Sequence, residues 1–180
     1  MAPDTRLRLA AIRKALEDII VPLIPAEASF AQEQLGLILR SIDIVRDQIP
    51  HEEAFLIHDA HAFAALGRAL GQHAAPQDTC AAPLREAVAR VEAICPARAV
   101  QRSELEQAVG AMRACIEQAV EEIGADAARL AAIAPLILTH TETQTLLERR
   151  WVVGTGFDPA PEALPALDQI LYPATTEAIA

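Results

Sequence analysis

From Leu105 onward the apolar residues return at intervals of four, three, four, three and four: Leu105, Val109, Met112, Ile116, Ala119 and Ile123. Only a helix of 3.6 residues per turn gathers such positions onto one face, so this segment must bury a stripe against other helices. Ser103-Glu-Leu-Glu106 before it matches a capping box, and Gly124 behind it supplies a C-terminal stop.

The same spacing recurs along the chain. A helix beginning after Asp4 or Thr5 places Leu9, Ile12, Leu16, Ile19, Ile20 and Leu23 on one arc, until Pro22 and Pro25 bend or end it. A second, from about Glu27 to Gln48, aligns Leu35, Ile38, Ile42, Val45 and Ile49. Pro50 either opens a new helix or kinks a long one. The third, roughly His51 to His73, carries Leu56, Phe63, Leu66 and Leu70, with Ala60, Ala64 and Gly67 permitting close approach. The fourth, capped by Asp78 or Thr79 and stopped by Pro96, carries Leu84, Val88, Val91 and Cys95. A sixth begins at Asp126 with Leu130, Ile133 and Ile137 inward; one helix, kinked at Pro135, is expected to run to about Trp151.

Composition agrees. Thirty-eight of 180 residues are alanine, the best helix former, only 3% are aromatic, and no run alternates as a half-buried strand does. The expected fold is all-α: an up-and-down bundle of five or six helical segments, antiparallel because the connections are short. The expected division is a bundle domain over 1–153 and a Pro-rich tail over 154–180, with Pro159, Pro161, Pro165 and Pro173. Ile170, Leu171 and Tyr172 would dock that tail on the bundle or on a partner, and a short helix fits between Glu162 and Leu171.

Several function classes are disfavoured. The most apolar stretch, Ala15 to Ala31, is broken by Glu17, Asp18, Pro22, Pro25 and Glu27, short of the ~20 apolar residues a membrane span needs. The first ten residues carry Asp4, Arg6 and Arg8 without an apolar core, so no secretory signal is expected there. Three cysteines without Cys-x-x-Cys spacing suit reduced thiols in the cytoplasm. A net charge of −10 without a basic patch argues against nucleic acid and anionic membrane as partners.

No catalytic set stands out. His51-Glu-Glu53, His58-Asp59 and His61 contain metal-ligand chemistry, but no Glu-x-x-His motif occurs, and the wheel places these histidines opposite Leu56, Phe63 and Leu70. No metal or cofactor is expected, and Glu52 and Asp59 alone approach the core side. Cys80, Cys95 and Cys115 read as small hydrophobes rather than nucleophiles. Gly154-Thr-Gly156 reads as a turn, since the strand and third glycine of a dinucleotide site are missing. The helical pattern is strained between Pro135 and Trp151, where Thr141, Gln144 and Glu148 would fall on an apolar face. Polar residues on a core face mark the place to look for a site. The ligand-binding candidates are therefore His140, Thr141, Gln144, Arg149, Arg150 and Trp151. The leading expectation is a protein-interaction module acting as a homodimer. The alternative is a small-molecule-binding protein or enzyme with a pocket near His140–Trp151.

Overall fold

The computed structural model describes residues 4–95 and 101–172. The fold is all-α: the regular elements are α1 (Thr5–Ala15), α2 (Ser29–Gln48), α3 (Glu52–Gly71), α4 (Ala81–Ile94), α5 (Arg102–Gly124), α6 (Ala127–Trp151) and α7 (Leu167–Leu171), and no strand occurs among the described residues. Pro96 and Pro173 lie outside the described residues. Contacts divide the chain into two units, one formed by residues up to Glu52 and from Leu147 on, the other by Glu53–Leu146.

The second unit holds the main core. Every residue of the α5 stripe, from Leu105 to Ile123, is buried. It packs with Ala60, Ala64, Leu66 and Leu70 of α3, Leu84, Val88 and Val91 of α4, and Ile133 of α6. Leu130 departs from expectation: it is 42% exposed, in the first turn of α6. Gly67 is where α3 comes closest to its neighbours. A Cβ there would lie 3.0 Å from both Met112 Sδ and Val88 Cγ2, so the absence of a side chain permits this approach.

Helix ends show where local signals yield to tertiary ones. Asp4 accepts from the Arg6 amide at 2.9 Å, and Asp126 from the Ala128 and Arg129 amides at 2.9 Å each. The capping box expected at Ser103 does not form, because α5 already begins at Arg102 and Glu106 pairs with Arg102 instead. Neither Asp78 nor Thr79 caps α4. Glu122 of α5 accepts from the Thr79 and Cys80 amides at 2.8 Å each, and Asp78 turns to the Ala75 amide and to Arg129 of α6. Proline's missing N–H has different outcomes at different positions. A 3-10 turn over Ile49–His51 joins α2 to α3 at Pro50, whereas α6 runs through Pro135 to Trp151. Upstream of Pro22, α1 loosens into a π turn, Leu16–Ile20, in which the Val21 amide reaches back to the Leu16 carbonyl.

In the first unit, α1 packs along α2, with the Arg13 guanidinium 2.9 Å from the Asp43 carboxylate. The arc expected to be the buried face of the first helix is largely open: Ile12, Ile19, Ile20 and Leu23 are exposed, and Leu9 and Leu16 are half-buried. Along α2 only Leu35 is buried, with Ile38 and Val45 exposed. Two helices have one shared seam, and it is narrower than the apolar arc each carries. The C-terminal segment belongs to this unit, with Leu164 and Leu171 buried.

Gly67→Leu is expected to lower stability by about 3 kcal/mol in urea unfolding, the cost of overfilling a packed core. Gly110, where a Cβ would meet nothing within 4 Å, is the control: Gly110→Ala is expected to stabilise by about 0.5–1 kcal/mol. Equal effects at the two positions would contradict the close approach at Gly67.

Candidate functional site

Of the six residues singled out around the end of α6, four fall into two settings. His140 and Gln144 belong to a polar cluster of the second unit, and Arg150 and Trp151 line a cleft in the first. Thr141 is exposed, and Arg149 holds Asp158 through two bonds of 2.9 Å.

The cluster centres on Asp59 of α3, which is only 6% exposed. A carboxylate removed from water needs donors, and two other helices supply them. Gln144 Nε2 of α6 donates to Oδ1 at 2.6 Å, and Arg113 of α5 donates to Oδ2 at 2.8 Å. The Arg113 guanidinium lies 4.4 Å over the Phe63 ring, a cation–π contact, and His140 meets the same ring edge-on at 4.7 Å. Gln144 Oε1 and His58 Nδ1 are buried without a hydrogen-bond partner among the described residues. Of the histidines read as lying on the solvated face, His61 is exposed, whereas His51 and His58 are half-buried. Burial holds His58 below the ordinary histidine range, and it does the same to His140, partly offset by the charge on Asp59.

The cleft of the first unit, about 490 Å³, lies among α2, the end of α6, the turn after it and α7. Gln48 Nε2 donates to the Trp151 carbonyl at 2.9 Å, and Arg40 Nη1 donates to the Thr155 carbonyl at 3.0 Å, so α2 holds the turn on its flank. That turn is glycine-dependent in two ways. A Cβ on Gly154 would fall 2.8 Å from Ile44 Cγ1, and Gly156 has φ +77°, the left-handed region. His51 Nδ1 is buried there without a hydrogen-bond partner among the described residues, 3.9 Å from an Asp168 oxygen.

Nucleophilic chemistry has little support in the thiols. Burial and the neighbouring Glu122 push Cys80 up to about 11, and burial raises Cys95 and Cys115 as well. No group of three or more histidine, cysteine, aspartate or glutamate side chains is placed to hold a metal ion among the described residues. No helix among them is long and apolar enough to cross a membrane. No family model matches the chain, nor does any curated protein or solved structure.

Sequence reasoning missed Arg113, which carried no pattern of its own, and Glu122, which acts across 42 residues of chain; His51 was read only as part of a solvated face. Asp59 was legible as an acid near the apolar face of α3.

The buried histidines set a pH dependence with a definite sign. An unfolded histidine binds a proton as pH falls through about 6.5, while folded His58 and His140 resist it. Their contribution is therefore present above that pH and lost as pH falls towards their depressed folded values. Asp78 is held low by Arg129 and the Ala75 amide, and Glu122 by the Thr79 and Cys80 amides. Their contribution is present above about pH 4.5 and lost on further acidification. Urea midpoints are expected to be level above about pH 7 and to fall in these two stages. The double variant His58→Gln/His140→Gln should lose the first stage and keep the second; an unchanged first stage would contradict the assignment.

Proposed function

We propose that this protein is a cytoplasmic interaction module that acts as a homodimer through the open apolar face of α1 and α2. One observation carries the reading: Ile12, Ile19, Leu23, Phe30, Ile38 and Val45 are all between 44% and 73% exposed within one helical hairpin and its connection. Scattered exposed apolar residues are ordinary; a run of this size on adjoining elements favours a covered surface. Charge favours a second copy as the cover. The chain carries −10, yet residues 4–48 hold six basic and seven acidic side chains, so two copies of this face meet near neutrality. A two-fold pair needs only the same patch on both subunits. The cytoplasmic assignment is supported by three free cysteines.

A second reading, a small-molecule-binding protein, is favoured by the cleft beside Trp151.

Light scattering across a range of concentrations is expected to give twice the chain mass. Ile19→Glu/Ile38→Glu should weaken the dimer at least about 100-fold while leaving the helical circular dichroism intact, since two desolvated carboxylates in the seam cost about 3 kcal/mol or more. A strict monomer at all concentrations would sink the proposal.

A further inference from the structure

The geometry points to the cleft beside Trp151 as a binding site for a small organic carboxylate, gripped by Arg150 with its apolar part against Ile44 and Leu167. This rests on the small-molecule reading and is independent of the dimer.

The charges lining the cleft are unequally committed. Asp43 is engaged by Arg13 at 2.9 Å and Arg46 at 3.1 Å, and Asp47 by Arg46 at 3.4 Å. Arg40 is held by the Thr155 carbonyl. Asp168 is 75% exposed and stands beside His51. Arg150 is half-buried and lines the cleft without an ion-pair or hydrogen-bond partner among the described residues. A partly desolvated guanidinium presents a planar fork of donors that fits a carboxylate bidentately, and such charge-assisted bonds are the strong ones. His51 Nδ1, buried and without a hydrogen-bond partner among the described residues, is a second polar group in the same cleft. Ile44, Val153 and Leu167 line the cleft beside Trp151 and supply its apolar wall. A volume of about 490 Å³ falls within the range of small-molecule sites. Gly154 keeps that wall in place, because any side chain there would push on Ile44.

Trp151 is the sole tryptophan of the chain, so its emission reports on the cleft directly. Phenylacetate and its uncharged isostere phenylacetamide are the probes, titrated into the full-length protein. Phenylacetate is expected to change the emission saturably, with phenylacetamide at least about tenfold weaker, the preference a charge-assisted pair confers. Arg150→Gln should abolish that preference while circular dichroism and oligomeric mass stay as in the parent protein. Equal binding of the two probes, or a preference that survives Arg150→Gln, would overturn the carboxylate assignment and leave the small-molecule reading standing. No emission change with either probe would overturn both.

Discussion

The approach of α3 to α4 and α5 at Gly67 is the constraint around which the second unit is built. With 3.0 Å between a Cβ at that position and both Met112 Sδ and Val88 Cγ2, three helices share one point of contact where any side chain would press on two neighbours. Close approach lets the small residues Ala60 and Ala64 pack among Leu84, Met112 and Ile116, and all of these are buried. Dense interiors transmit such placement along the helices that form them. Asp59 on α3 thereby comes within hydrogen-bonding distance of Arg113 on α5 and Gln144 on α6.

Polar groups then fix what apolar packing leaves free. Leucine and isoleucine stripes fit one another in several registers, but a buried carboxylate accepts only the register that supplies its donors. Asp59 performs this for α3, α5 and α6. Glu122 does so for α4 and α5 by capping one helix from another, and Arg129 ties α6 to Asp78 and to the His73 carbonyl at 3.0 Å. In the first unit the equivalent ties are Arg13 to Asp43 and Gln48 to the Trp151 carbonyl.

The elements whose stability is set locally were legible in the sequence: the α5 stripe and its end at Gly124, the Asp4 and Asp126 caps, and the continuity of α6 to Trp151. Features set across the chain were not. Ser103 had every local mark of a cap, but α5 had already begun at Arg102. The α1 arc had every mark of a core face, but periodicity reports that a face is apolar and not what covers it. The strained stretch after Pro135 did mark polar residues of consequence. Its members nevertheless serve different settings, because Gln144 turns to Asp59 while Arg150, six residues on, lines the cleft at Trp151.

A well-packed second unit and a first unit with an open apolar hairpin underlie the proposal that the second unit's core is complete within one chain and that a second copy covers the α1–α2 face. Hydrogen exchange followed by mass spectrometry at several protein concentrations tests this most directly. The α5 amides are expected to be the slowest to exchange at every concentration, and amides over residues 7–45 to gain protection as concentration rises. Protection over 7–45 that is independent of concentration, or α5 amides exchanging as fast as those of α1, would contradict it.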